Sequence, residues 1–279
     1  MFSESIRKAT DAYSTIAFLI DPLNINDGIK KYINKFKNNK FILVTKKDIL
    51  PRSLKEKKII SYIKDNIYNS DNIMCISSLK KYNIDAFLKK IDELNVRRLY
   101  IVGFTNSGKS TFINSILSSN KKKPVITTSS IPNTTASYIT IKLSNRLTIV
   151  DTPGFIDGDA IYNFMDYNKI AKLYPKKEIK VKTFQIKSGY AIVVNDILRV
   201  ENIGDKTNSF SFYMYDRLRY EKVKSKNDKL RILPNVNYEV TEPTDILING
   251  VGFVRITKPG SVRVHTLDLR LITKRKSMI

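Results

Sequence analysis

The feature that most constrains this chain is the nonapeptide Gly103-Phe104-Thr105-Asn106-Ser107-Gly108-Lys109-Ser110-Thr111. It satisfies G-x-x-x-x-G-K-[ST] in full, through Gly103, Gly108, Lys109 and Ser110. Its flanks carry the rest of the signal. Arg97-Arg98-Leu99-Tyr100-Ile101-Val102 ends in the apolar run of a buried parallel strand, and Ser110 to Leu117 reads as the start of a helix. Strand, glycine loop and helix are what phosphate binding requires. The glycines let backbone N–H groups turn inward, and the helix N-terminus adds partial positive charge. Lys109 is expected to reach the β- and γ-phosphates and the Ser110 hydroxyl to hold Mg²⁺, with Thr105, Asn106, Ser107 and Thr111 completing the cradle.

Two further strands end in chemistry. Arg146-Leu147-Thr148-Ile149-Val150 runs into Asp151-Thr152-Pro153-Gly154, 42 residues beyond Lys109. A carboxylate there is placed to support Mg²⁺. The Gly154 N–H can contact a γ-phosphate and move when that group leaves. Between the two motifs, Thr127-Thr128-Ser129-Ser130-Ile131-Pro132-Asn133-Thr134-Thr135 reads as a polar loop. Thr135, with Thr134 beside it, is the candidate to complete the Mg²⁺ shell.

The other strand lies upstream. Phe41-Ile42-Leu43-Val44 leads into Thr45-Lys46-Lys47-Asp48. The Asp48 carboxylate can accept hydrogen bonds from guanine N1 and N2, which adenine does not offer, and the Lys46 stem can lie over the base. Guanine-binding proteins usually have Asn first in this motif; Thr45 stands here. Asn72-Ile73-Met74-Cys75-Ile76 is a further short strand, ending in Ser77-Ser78-Leu79, a segment suited to contact guanine O6 through its backbone. In most GTPases the phosphate loop comes first and the base reader last. Here the order is reversed, so the nucleotide domain is expected to be circularly permuted.

Composition bounds the remainder. At 279 residues and 42% hydrophobic content, two domains with cores of their own are possible. The single Cys75 leaves no disulfide and no four-ligand zinc site, and His265 is expected to be structural. No apolar run reaches the roughly 18–20 residues needed to span a membrane, so a cytoplasmic protein is expected. The formal charge of +23 favours a polyanionic partner, RNA rather than DNA. Residues 1–159 carry 26 basic and 14 acidic residues (+12) and residues 160–279 carry 23 and 12 (+11), so the excess is spread evenly.

The alternation of short apolar strands with helices predicts an α/β GTPase domain over residues 1–172: a mostly parallel sheet with helices on both faces. Lys80–Leu94 should form one helix, with Ile84, Phe87, Leu88, Ile91 and Leu94 on its apolar face. Tyr138–Leu143 should run antiparallel beside Arg146–Val150. From residue 173 to 279 short alternating stretches separated by turns predict a smaller β-rich domain that binds RNA or the ribosome. Its aromatics Tyr190, Phe210, Phe212, Tyr213, Tyr215 and Tyr220 lie near Arg217, Arg219 and Lys222, a mixture that can stack bases and hold phosphates.

With this order of motifs the chain resembles the circularly permuted GTPases, and among them the YqeH-type ribosome-assembly GTPases. The resemblance rests on Thr45–Ser53, Gly103–Thr111, Thr127–Ser129 with Pro132–Thr135, and Asp151–Gly154. In the tail it rests on Pro175–Ile179, Gly250–Val254 and Arg275–Ile279. It implies a GTP-hydrolysing switch that binds ribosomal RNA or a subunit precursor, the small subunit first. The family's usual cysteine zinc module has no counterpart in these residues. The resemblance also implies a mechanism. Phe155 stands where Ras-like enzymes place a water-orienting glutamine, and Asn106 matches the residue that helps hold a K⁺ ion in potassium-activated GTPases. The competing readings are a non-catalytic RNA-binding assembly factor, a large-subunit assembly GTPase, and a phosphate-loop protein that uses ATP.

Overall fold

β1 (Thr15–Ile20) is buried at every position, as expected of an apolar strand with neighbours on both edges and helices on both faces. It pairs in parallel with β2 (Asn39–Val44) on one side and β4 (Arg98–Gly103) on the other, with Leu19 opposite both Leu43 and Gly103. The computed structural model describes residues 14–119, 138–224 and 229–279. Within them the chain forms two compact units, 1–157 and 158–279.

The first unit is built on a six-stranded sheet of order β3-β2-β1-β4-β6-β5. β3 (Ile73–Cys75), β2, β1, β4 and β6 (Thr148–Asp151) are parallel, and β5 (Ile139–Lys142) runs antiparallel to β6 as expected. Helices α1 (Asp27–Ile33), α2 (Glu56–Asn66) and α3 (Ile84–Glu93) make the crossovers, and α4 (Lys109–Ser119) follows β4. The chain runs outward from β1 to β2 and β3, then crosses back past β1 to β4. The sheet order therefore reverses between β1 and β4, the place where open α/β sheets leave a crevice at the strand C-termini. The base-reading segment leaves β2 and the phosphate loop leaves β4, so both face that crevice.

Helix α3 starts later than expected. Ser77 and Tyr82 exchange backbone hydrogen bonds (3.1 and 2.9 Å) and Asn83 is left-handed (φ 58°), so residues 80–83 form a turn. Ile84, Phe87 and Ile91 are buried as predicted, while Leu94 ends the helix 56% exposed. Cys75 is buried in β3, and burial pushes its thiol up to about 12, which keeps it unreactive.

The second unit begins earlier than the 172/173 boundary read from the sequence. Ile161 and Leu173, flanking the short helix α5 (Tyr167–Ile170), are buried in its core, and the Ile161 N–H donates to Asn249 O. Two five-stranded antiparallel sheets pack around that core. One has the order β16 (Ile272–Lys276), β13 (Thr244–Ile248), β14 (Gly252–Ile256), β10 (Asn208–Tyr213), β7 (Lys182–Ile186). The other has the order β11 (Tyr220–Lys224), β8 (Tyr190–Val194), β9 (Leu198–Asn202), β15 (Gly260–Thr266), β12 (Asn235–Val240). Alternation along each strand sends Val200, Phe210, Phe212, Ile246, Val254 and Val264 inward.

Candidate functional site

The phosphate loop is held open from below by β1. A Cβ on Gly103 would stand 2.6 Å from Leu19 O and 2.7 Å from Ser107 Oγ, so the strand next door forbids a side chain there. Asn106 is left-handed (φ 64°), a conformation that helps turn successive N–H groups toward one point. Lys109, the first residue of α4, is 7% exposed, and its Nζ donates to Gly103 O and Phe104 O at 3.1 Å each. The loop mouth is thus occupied by its own lysine. Ser110 and Thr111 follow in the first turn of α4.

Asp151 ends β6 fully buried, and neither carboxylate oxygen has a hydrogen-bond partner of normal geometry among the described residues. Burial pushes its pKa up to about 6, partly offset by the charge of Lys109. Burial likewise pulls Lys109 down to about 8, partly offset by Asp151. Two opposite charges that both pay for desolvation mark a site prepared for a charged ligand. The orphaned carboxylate fits Mg²⁺, with Ser110 supplying a hydroxyl, and the lysine fits phosphate. When bound, the metal would neutralise phosphate charge. Among the described residues no group of three or more His, Cys, Asp or Glu is placed to hold a metal ion. Thr135 lies outside the described residues.

The segment after Asp151 is tied to the loop. Thr152 Oγ1 donates to Ile101 O (2.9 Å), Phe155 N–H to Gly103 O (3.1 Å) and Thr105 N–H to Phe155 O (2.8 Å). A Cβ on Gly154 would lie 2.8 Å from Lys109 Nζ and 3.2 Å from Thr105 N, so glycine is required where this segment crosses the lysine. Phe155 is 5% exposed, with its ring among Phe18, Tyr32, Phe36 and Phe104 at centroid distances of 5.3–6.3 Å. An apolar ring held in an apolar cage cannot orient a water, in line with the reading of Phe155 from the sequence. The cage itself was not legible there, because Tyr32 and Phe36 lie more than sixty residues before Phe104 in the chain.

The base-reading segment reaches the same loop. Thr45, 2% exposed, donates its hydroxyl proton to Ser107 O (2.7 Å), with Ile20 O at 3.1 Å as the alternative acceptor. The threonine therefore binds the phosphate loop to the base reader. Lys46 is left-handed (φ 52°) and its Nζ pairs with Asp21 Oδ2 at 2.6 Å. In the sequence Asp21 only ends the apolar run Ile16–Ile20, and its pairing with Lys46, 25 residues on, was not legible there. Asp48 accepts from Ser77 Oγ, which in turn accepts from Lys80 N–H (3.1 Å), and Lys47 N–H donates to Ile76 O (3.0 Å). Asp48 and Ser77 are thereby joined at one edge of the crevice, with Ser78 next in the chain.

Three features define the site: the Asp48–Ser77 hydrogen bond, a phosphate loop joined to the segment before Asp48 through Thr45, and β1 between the strands that carry the two. Residues 98–215 match the family described as 50S ribosome-binding GTPase. The uncharacterized protein YqeH of Bacillus subtilis (strain 168) is 26% identical over 276 residues, covering 87% of this chain and 75% of YqeH. The chain has the fold and motif order of a circularly permuted GTPase and is similar to YqeH over most of its length. GTPase Der of Karelsulcia muelleri (strain GWSS) is 29% identical to this GTPase over 195 residues, 63% of this chain and 43% of Der. Nucleolar GTP-binding protein 2 of Eremothecium gossypii is 26% identical over 147 residues, 50% of this chain and 28% of its own length. Among solved structures, GNP-bound YlqF from T. maritima is 20% identical, with a TM-score of 0.37 over 62% of this chain and 64% of YlqF. The chain thus spans less than two thirds of each of these relatives except YqeH.

Of the aromatics named from the sequence, Phe210 and Phe212 are fully buried and Tyr213 is 6% exposed, so these three belong to packing. Alternation on β10 sends Phe210 and Phe212 inward, while Tyr213, on the opposite face, stacks on Phe253 at 4.7 Å. Tyr190, Tyr215 and Tyr220 remain half-buried. No helix among the described residues is long and apolar enough to cross a membrane.

Proposed function

We propose that this GTPase is a molecular switch in ribosome assembly that acts on a precursor of the small subunit, using Mg²⁺ and stimulated by K⁺. The observation that carries the switch is the hydrogen-bonded join of Thr105 to Phe155 across the phosphate loop. A γ-phosphate arriving at the loop draws Lys109 Nζ off the Gly103 and Phe104 carbonyls. It also competes for the N–H groups around Gly154, so the join must rearrange with nucleotide state. Lys109 then stabilises charge developing on the transferred phosphoryl group, and the backbone around Gly154 positions it. No side chain among the described residues is set to orient the attacking water, Phe155 being enclosed. Unaided turnover is therefore expected at roughly 10⁻⁴–10⁻² per second. Asn106 supports K⁺ as the charge that assists the step. The excess of +23 and the match to a family described as 50S ribosome-binding GTPase support an RNA-containing target.

A large-subunit target is the second reading, favoured by the description of the matched family. Sedimentation of ribosomal particles from depleted cells separates the two. Accumulation of small-subunit precursors is expected, and accumulation of large-subunit precursors with normal small subunits would transfer the assignment. Hydrolysis by the purified protein in KCl against NaCl tests the cation: equal rates in the two salts remove K⁺ from the mechanism.

A further inference from the structure

The two open edges of the β-sandwich are chemically unlike each other. At one edge β7 and β11 close the sandwich, joined by Lys222 Nζ donating to Gln185 O (2.9 Å) and by Phe184 stacking with Tyr220 (6.2 Å). At the other edge β16 and β12 do so, joined by Lys274 Nζ donating to Glu239 O (2.8 Å). The second edge is electrically balanced. Lys276 pairs with Glu242 (3.0 Å), and Glu239 accepts from Ser261 Oγ (2.8 Å). The first edge is not. Lys182, Lys222 and Lys224 line it, and Glu221, the one acid in either strand, is already engaged by Arg219.

The cations of this edge alternate with aromatic faces. Lys182 Nζ lies 4.5 Å from the centre of the Tyr220 ring, and Lys222 Nζ lies 5.5 Å from that of Tyr190. Both rings are half-buried, so each is fixed in the fold while part of it faces solvent. Tyr220 is anchored further by its hydroxyl, which donates to Tyr215 O (3.1 Å). Lys222 and Lys224 project two residues apart on one strand, about 6.5–7 Å. Fixed rings with ammonium groups between them, repeating along an edge, are the elements that hold unpaired nucleotides: the rings stack bases and the lysines meet phosphates.

We propose that the β7–β11 edge binds a single-stranded RNA segment, with Tyr190 as the stacking platform, Tyr220 holding Lys182 in place, and Lys182, Lys222 and Lys224 as phosphate contacts. This rests on the ribosome-assembly reading and names the face that carries it. A duplex fits less well, because its bases are stacked on one another and cannot reach the Tyr190 ring.

The test uses the full chain with GDP and Mg²⁺ and a fluorescein-labelled single-stranded RNA of about twelve nucleotides, read by anisotropy over a series of salt concentrations. The Lys182→Gln/Lys222→Gln/Lys224→Gln variant should bind at least about tenfold more weakly and lower the log–log salt slope by about 2, from about 0.7 per phosphate contact. Tyr190→Leu should weaken binding about tenfold. Lys182→Gln/Lys224→Gln leaves the Lys222 hydrogen bond in place, and should show about two thirds of the triple variant's slope change if folding is not the cause. Lys274→Gln/Lys276→Gln on the other edge should bind as wild type, and GTP hydrolysis should be unchanged in all four. Equal loss from both edges, or wild-type binding by the triple variant, overturns the assignment of the edge. A preference for duplex RNA overturns the single-strand claim. If the wild type binds no RNA yet still sediments with ribosomal subunits, the edge proposal fails and the ribosomal reading stands. Failure to do either removes the ribosomal reading as well.

Discussion

Thr45 offers the sharpest test of how this site is assembled. Its hydroxyl has one proton, and of the two carbonyls in reach Ser107 O is nearer, at 2.7 Å against 3.1 Å for Ile20 O. Thr45→Val keeps the shape and removes the donor. At 2% exposure water cannot replace it, and a buried carbonyl left without its donor costs about 1–3 kcal/mol. Ile20 O also accepts the Thr45 N–H (2.9 Å), so the unmet group is Ser107 O, in the phosphate loop. The loss should therefore appear in nucleotide affinity, as a Kd for both GDP and GTP raised by roughly 5- to 150-fold. The two nucleotides should be affected alike, because the contact lies beneath the loop and not at the γ-phosphate. Titration with a fluorescent GDP analogue and competition by GTP measure this, with thermal unfolding to confirm that the fold persists. Thr45→Ser, which keeps the hydroxyl, should stay within a few-fold of wild type. The reasoning fails if Thr45→Val binds both nucleotides normally, or if Ser and Val lose equally.

Other consequences follow from the same geometry. Asp48→Asn replaces an acceptor of charged hydrogen bonds, about 1.5–3 kcal/mol each, and should lower GTP affinity at least tenfold while leaving ATP affinity unchanged in competition titrations. Phe155→Ala opens the aromatic cage and should destabilise the protein by about 3–5 kcal/mol in denaturant unfolding. A loss below 1 kcal/mol would show that the ring is not held as described. Removing Mg²⁺ with a chelator should weaken GTP binding in the wild type and have little further effect in Asp151→Asn, as read by the same titrations. His265, 2% exposed with its Nε2 3.0 Å from Arg199 NH1, has its pKa lowered by burial and then by Arg199. The fold therefore favours the neutral ring, whereas an unfolded histidine protonates near 6.5. Its contribution is fully present above about pH 6.5 and is lost as pH falls through the lower folded value. Asp151, raised to about 6, acts with the opposite sign below that pH. The measurement is thus the difference between wild type and His265→Gln in thermal melts at pH 7.5 and 5.5, and it should shrink at the lower pH.

Strand β4, the loop at Gly103–Thr111 and α4 were legible because each is specified within a few residues: an apolar run, glycines at set spacing, a helix start. β5 and β6 were legible for the same reason, through the short turn between them. In the second unit the turns at Gly189 and Gly250 were read correctly from Lys187-Ser188-Gly189 and Asn249-Gly250, and both glycines have positive φ (73° and 85°). The turn at residues 80–83 was not, because Lys80 and Lys81 are good helix formers, while the Ser77–Tyr82 pairing that shapes it is set by the position of β3. Phe210 and Phe212 were candidates for RNA contact until β10 was seen to alternate them into the sandwich. A strand's inward face depends on the sheet opposite, which periodicity does not name.

The sequence by itself determined that a nucleoside triphosphate is bound, that guanine is read, and that the two functions come in permuted order. These are properties of short motifs, where chemistry and backbone are specified together. Only the tertiary structure decided how the motifs become one site: β1 inserted between their strands, Thr45 joined to Ser107 across 62 residues, Phe155 closed in by Tyr32 and Phe36. It also decided which sandwich edge keeps its lysines unneutralised. Those contacts join residues far apart in the chain, and a chain's order does not state which distant segments will pair until burial and hydrogen bonding select among them.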